Sequence, residues 1–165
     1  MDSIQFIPVT GEPSISTVAS LARKIWPEHY APIIGKTQVD YMLGKFQTRE
    51  AIAAQLGEGY FYYLIHSPSG EAVGYLSVIP QESDFFLSKF YIDSSHRGKG
   101  YGRQAMDFVQ SLARKRGFAR ITLTVHKRNP SVAIYQKMGF SILHPIVTNI
   151  GEGYVMDDFR LALPL

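Results

Sequence analysis

The apolar positions change their period several times along the chain, and each change predicts an element. QFIPV (residues 5–9) is short and β-prone, which predicts a strand. Ile15, Val18, Leu21, Ala22 and Ile25 then fall at helical spacing, so a helix is expected from Ile15 to about Trp26, with Ser14 as its cap. Pro27 and Pro32 interrupt that pattern, and PEHYAPIIGK (27–36) reads as a loop. Val39, Met42, Leu43 and Phe46 stripe a second helix that starts at Thr37 or Gln38. A third, short helix is expected from Arg49 to Leu56, ended by Gly57.

Beyond Gly57 the helical spacing gives way to aromatic, β-prone runs. YFYYLIH (60–66) and AVGYLSVI (72–79) flank the turn SPSG, a pattern that predicts a hairpin. DFFLSKFYI (84–92) is a further strand. Tyr101, Ala105, Phe108, Val109 and Leu112 then stripe a helix that ends at Gly117. ARITLTV (119–125) reads as a strand, PSVAIYQKM (130–138) as a short helix stopped by Gly139, and FSILHPIV (140–147) and YVMDDFRLAL (154–163) as two last strands. The order is strand, helices, three strands, helix, strand, helix, two strands. It predicts an α/β (α+β) fold with a single mixed, mostly antiparallel sheet flanked by helices. No repeat, low-complexity segment or linker divides the 165 residues, so one domain over residues 1–165 is expected.

Composition removes several classes. With 45% hydrophobic residues, 10 Tyr and 10 Phe, the chain can build a core and is not a disordered segment. It has no cysteine, which excludes disulfide staples and thiolate chemistry and fits a cytoplasmic setting. No leader-like segment, no apolar run long enough to cross a membrane and no metal-ligand spacing is found. The formal net charge of +3 hides an asymmetry. Residues 97–137 hold 10 Lys and Arg against one acid, Asp107, whereas residues 1–96 hold 6 against 10 Asp and Glu. A basic quarter of this kind suits a polyanion.

That quarter opens on SSHRGKGYGRQAM (94–106), between a strand and a helix. Glycine leaves backbone N–H groups uncovered, and the first N–H groups of a helix have no partner inside it. With the positive end of the helix dipole they form an anion cradle that fits a pyrophosphate, and Arg97, Lys99 and Arg103 add charge. A Walker loop is excluded because Gly-x4-Gly-Lys-Ser/Thr does not occur. A dinucleotide fingerprint is excluded too. Counting from Gly98, its third glycine would be Arg103, and no acid lies between Asp107 and Glu152.

The stretch from Asp84 to Phe140 resembles the GCN5-related N-acetyltransferase (GNAT) family. Arg97, Gly100 and Gly102 match its motif Arg/Gln-x-x-Gly-x-Gly/Ala. LSKFYIDSSH (87–96) resembles the strand that contacts pantetheine, and NPSVAIYQKMGF (129–140) a later motif. YMLGKF (41–46) and the early helices are similar to the polyamine (spermidine/spermine) acetyltransferase branch. One departure is that Asn129 stands six residues before Tyr135, where many members have seven.

The resemblance implies an enzyme that transfers the acetyl group of acetyl-CoA to a primary amine in a ternary complex. The acceptor would be a small polyamine, a lysine or an N-terminal amine. Backbone of residues 98–103, that is Gly98, Lys99, Gly100, Tyr101, Gly102 and Arg103, would hold the pyrophosphate together with Arg97. Phe90, Tyr91 and Ile92 would line the pantetheine arm, and a bulge near them would present an N–H to the thioester oxygen. Tyr135 would protonate the departing thiolate, and Asn129 would contact the cofactor.

Each residue has a plainer alternative. Tyr135 could be a packing aromatic, and Asn129, ahead of Pro130, a helix cap. His126 could be a solvated turn residue, and Glu28, His29 and Tyr30 a surface loop. Glu82 and Asp84 could hold a cationic amine or simply solvate a hairpin. Two rival functions stay open. One is a non-catalytic acyl-CoA sensor. The other is a nucleic-acid module using RKRG (114–117) and HKRN (126–129), against which stands the concentration of aromatics outside the basic quarter. The acceptor, the general base and homodimer formation through C-terminal edge strands are not read from the sequence.

Overall fold

The computed structural model describes residues 3–165, so Met1 and Asp2 of the expected domain lie outside the described residues. Seven strands form one sheet: β1 (Gln5–Pro8), β2 (Phe61–His66), β3 (Ala72–Pro80), β4 (Phe85–Ile92), β5 (Arg120–His126), β6 (Ser141–Gly151) and β7 (Tyr154–Pro164). Their order across the sheet is β1-β2-β3-β4-β5-β7-β6. Every neighbouring pair is antiparallel except β4 and β5, as the mixed, mostly antiparallel expectation required. α1 (Ser14–Ile34), α2 (Lys36–Phe46) and α3 (Arg49–Gly57) cover one face, and α4 (Tyr101–Lys115) covers the other. α5 (Ser131–Lys137) follows β5. None of the described helices is long and apolar enough to cross a membrane.

Strand alternation sorts the apolar residues into two cores. Leu76, Val78, Phe85, Leu87, Ile121 and Leu161 pack against Ala105, Met106 and Val109 of α4. Tyr62 and Tyr75 project to the other face, where they meet Val18, Trp26, Val39, Met42 and Ile52. The polar tips of this second core are paired, as burial demands. Trp26 Nε1–H donates to the Tyr75 hydroxyl (2.9 Å), which donates to Gln47 Oε1 (2.6 Å). The Tyr62 hydroxyl donates to Gln55 Oε1 (2.5 Å).

The expected loop at 27–36 is instead helix. α1 continues through Pro27 and Pro32 to Ile34 and stops at Gly35, whose φ is +84°. A proline in a helix interior costs roughly 3 kcal/mol. Aromatic packing offsets that cost here: Tyr30 meets Trp26 edge-on at 5.6 Å, and its hydroxyl bonds that of Tyr91 at 2.7 Å. Ser14 is not the cap of α1 but its first residue, and its hydroxyl donates to the Gly11 carbonyl. The Glu12 carboxylate accepts the Ser16 N–H (2.9 Å) in its place. Thr48 caps α3 by accepting the Ala51 N–H at 3.0 Å. β6 runs on to Gly151 because β7 pairs with it to the end of the hairpin. β6 is the outer strand of the sheet and exposes Ile142, Leu143 and Val147, the edge at which the sequence leaves pairing between chains open.

Candidate active site

β4 and β5 are paired only at Phe85–Ile121 and Phe86–Thr122, and then part. The register of β4 on β3 slips between Leu87 and Lys89, so Ser88 is an extra residue, a bulge. The bulge therefore lies at Ser88 and not near Phe90–Ile92 as expected. It bends β4 at the point where the two strands diverge, because an extra residue on one strand increases the local twist. The gap opens into a cleft of about 740 Å³. One wall is Leu87, Ser88 and Phe90–Ile92 of β4, and the other is Leu123–Val125 of β5 with α5 beyond it.

Backbone on the β4 wall is free to bond a guest. Asp93 N–H donates to the Val73 carbonyl (2.8 Å), which fixes the parity of β4. The N–H and C=O groups of Tyr91 therefore face β3, and those of Phe90 and Ile92 face the gap. Side chains alternate the other way. Phe90 and Ile92 pack with the α4 core, whereas Tyr91 reaches Tyr30 and Trp26 on the opposite face.

The glycine loop closes one end of the cleft. Asp93 anchors it: its carboxylate meets Lys24 Nζ at 2.5 Å and accepts the Ser95 N–H of a single 3₁₀ turn, Ser94–His96. Lys24 holds that carboxyl below the usual range. Gly98 and Gly100 follow with φ of +76° and +78°, conformations that side-chain-bearing residues avoid. Apart from its own chain neighbours, no atom of the described residues lies within 4 Å of where a Cβ would stand on either. The chain enters α4 from Gly100, so the unpaired N–H groups of the first helical turn open beside that free space. Arg97, Gly98, Gly100, Tyr101 and Gly102 line the cleft; Lys99 and Arg103 are exposed and do not. The Tyr101 side chain points into the α4 core, so only its backbone can serve an anion.

Tyr135 stands on the α5 wall with its ring edge-on to Phe140 at 5.5 Å. Among the described residues its hydroxyl has no hydrogen-bond partner. Burial, with the neighbouring Tyr30, pushes that hydroxyl well above the ordinary tyrosine range, so it stays protonated. Tyr30, across the cleft, is likewise pushed up to about 12 by burial. Asn129 does cap the short helix, since its Oδ1 accepts the Ser131 N–H at 2.8 Å. Its amide also donates to His29 Nε2 (3.1 Å). Burial and then Arg97 push His29 down, so the imidazole is neutral at pH 7. Glu28, His29, Tyr30 and Ile33, on the unexpected last turns of α1, thus line the cleft.

Three other candidates fall outside it. Asp84 is bonded by Arg120 (2.6 Å) and Arg160 (3.3 Å), so its charge is already matched, and Glu82 is exposed. His126 accepts the Arg128 N–H at Nδ1 (3.1 Å) and lines a separate small cavity with Thr124 and Asp158. Three basic residues of the two strips are already engaged within the chain. Arg116 lies over the Phe61 ring, Lys127 pairs with Asp157 (2.9 Å), and Arg128 donates to the Ile33 carbonyl (2.5 Å). Sequence reasoning missed Ser88, Ile33 and Asp158, and read Arg128, which lines the cleft, only as part of a basic strip. For Asp158 a signal existed, since it shares one face of the strand with Met156 and Arg160.

Residues 19–140 match the acetyltransferase (GNAT) family, and the chain belongs to it. Among curated relatives it is 35% identical over 82 residues to the uncharacterized N-acetyltransferase YobR of Bacillus subtilis, covering 49% of this chain and 32% of that one. It is 29% identical over 85 residues to mouse N-alpha-acetyltransferase 80, covering 52% of this chain and 24% of that one. The match thus spans well under two thirds of these relatives. PaiA N-acetyltransferase from Thermoplasma acidophilum, solved in complex with coenzyme A, shares the fold over 99% of both chains, with 18% identity and a TM-score of 0.80. A GCN5-related N-acetyltransferase from Rhodopseudomonas palustris covers 100% of this chain and 96% of its own, with 16% identity and a TM-score of 0.82. The fold is that of the acyl-CoA N-acyltransferases, whose cosubstrate is acetyl-CoA.

Proposed function

We propose that the chain transfers the acetyl group of acetyl-CoA to a primary amine, with both substrates held together. The parting of β4 from β5 after Phe86 and Thr122 carries this reading, because it leaves free strand backbone, an open helix start and a half-buried tyrosine around one cleft. The N–H groups beside Gly98, Gly100 and Gly102 would take the pyrophosphate, with Arg97 adding charge. The amides of the pantetheine arm would pair with the free edge at Phe90 and Ile92, as an added strand does.

The chemistry follows from what each group can supply. The amine nitrogen attacks the thioester carbon, its oxygen gathers negative charge, and the C–S bond breaks. An N–H of the β4 edge would meet that oxygen, a contact worth about 3 kcal/mol. Tyr135 would hand its proton to the thiolate; its raised pKa makes it a donor and disqualifies it as the base. The attacking amine must be neutral, yet an alkylamine near pKa 10.4 is only about 0.04% neutral at pH 7. A small polyamine, a lysine or an N-terminal amine suits the acidic balance of residues 1–96.

The test is calorimetry with coenzyme A and acetyl-CoA, followed by thiol release with spermidine, a lysine peptide and a peptide with a free N-terminus. Amine-dependent thiol is expected. Binding without turnover would make the chain an acyl-CoA sensor, and no heat with either ligand would overturn the reading.

A further inference from the structure

Asp158 sits on β7 opposite His126 of β5, with its side chain on the α1–α2 face of the sheet. It is 4% exposed, yet among the described residues no hydrogen bond or ion pair reaches its carboxylate. Lys127, whose charge acts on it, is bonded to Asp157 at 2.9 Å. A buried carboxylate normally finds a donor, because its desolvation otherwise goes uncompensated. Asp158 instead lines a cavity of about 30 Å³ with Gln38, His126 and Met156. That volume holds one water-sized group. Tyr30, Thr124 and Val125 line both this cavity and the large cleft, so the two share a wall.

We infer that Asp158 is the seat of the acceptor's ammonium group and the base that frees its nitrogen for attack. The inference rests on the acetyl-transfer reading above and adds to it the seat of the acceptor's positive charge and the route of the proton. The ammonium gives one proton to the Asp158 carboxylate and becomes a neutral amine. The amine forms the N–C bond, the C–S bond breaks, and the thiolate takes the Tyr135 proton. Tyrosinate recovers a proton from the acetylated nitrogen, and Asp158 releases its own to solvent. The sum is one amide, one thiol and one proton. A base works best with a pKa near the working pH. Burial and then Asp157 raise Asp158 to about 6, well above an ordinary carboxyl, while Lys127 acts the other way. The other titratable groups facing it are Tyr30 of α1, which stays protonated, and His126 of β5, which burial and Arg128 push down.

The experiment compares the full chain with Asp158→Asn and Asp158→Glu, using acetyl-CoA with spermidine and with a lysine peptide. Asp158→Asn is expected to bind acetyl-CoA as the unaltered chain does and to lose about 100-fold in kcat/KM for the amine. Its kcat/KM profile loses the limb near pH 6. Asp158→Glu restores part of the rate. Because Asn removes a buried charge, that variant melts at or above the unaltered chain near pH 8. Should it fail to fold, Asp158→Glu and the limb in the unaltered chain decide: no limb, or an unmoved limb in the Glu variant, overturns the inference. Asn variants within about threefold of the unaltered chain on both amines also overturn it, as does acetyl-CoA binding with no amine turnover. Failure of the unaltered chain to bind acetyl-CoA is the separate result that removes the parent reading, and this one with it.

Discussion

At the scale of single residues, Tyr135 carries the sharpest expectation. Its hydroxyl has no partner among the described residues, and its raised pKa keeps the proton in place for a thiolate. Tyr135→Phe keeps the ring on Phe140 and removes only that proton. Turnover should fall by at least about tenfold while acetyl-CoA affinity changes little, a split read by thiol release against calorimetry. Turnover unchanged in the Phe variant would leave Tyr135 a packing aromatic. The position of Tyr135 was legible in the sequence because a motif fixes it, whereas its isolation was not, because that depends on Tyr30 and Tyr91 arriving from elements far apart in the chain. Asp158 was illegible for the same reason: that no partner reaches it is a property of everything packed around it.

At the scale of elements, β-prone runs and turn chemistry predicted every strand, because the runs are rich in aromatic and branched residues and each hairpin carries its own Gly or Pro signal. The one element misread was the end of α1. Local rules end a helix at Pro27, but the contacts of Trp26 and Tyr30 with Tyr75 and Tyr91 lie about 50 to 60 residues away and override them. The consequence is functional, since those turns bring Glu28, His29 and Tyr30 to the cleft. The β3–β4 seam gives a testable case of close packing. Gly74 lies opposite Ile92, and a Cβ there would run into the Tyr91 carbonyl oxygen and come within 3.0 Å of Ile92 Cα. Backbone cannot step aside cheaply, so Gly74→Ala should cost about 3 kcal/mol and weaken acetyl-CoA binding by shifting the cleft wall. Gly44→Ala, in α2 with nothing within 4 Å, should instead stabilise by about 1 kcal/mol. Urea unfolding of the two variants checks both signs, and equal effects would remove the packing argument.

At the scale of the whole molecule, the sheet is closed at one end of the β4–β5 seam and open at the other, and charge is arranged to match. Asp84 stands just before the first paired residues, Phe85 and Ile121, and joins β4 to Arg120 of β5 and Arg160 of β7. These ion pairs pin the closed end from which the cleft widens. Composition announced the excess of positive charge but not this division of labour, because some of the basic residues tie strands together and others face the cleft. The two kinds of carboxylate respond to pH with opposite sign. Hydrogen bonding from Arg120 holds Asp84 below its ordinary pKa, so its contribution is present above the unfolded value near 3.9 and is lost as pH falls through the lower folded value. Asp158 is raised to about 6, so stability tied to its protonated form is present below the unfolded value and is lost as pH rises through about 6. Asp84→Asn should therefore lower stability by about 2 kcal/mol above pH 5, the scale of a charged hydrogen bond, with the deficit shrinking toward zero below pH 3. Thermal melts of the variant and the unaltered chain across that range decide it. A deficit that persists undiminished at the acid end would mean that Asp84 acts by packing rather than by charge, and that something other than this ion pair holds the seam shut.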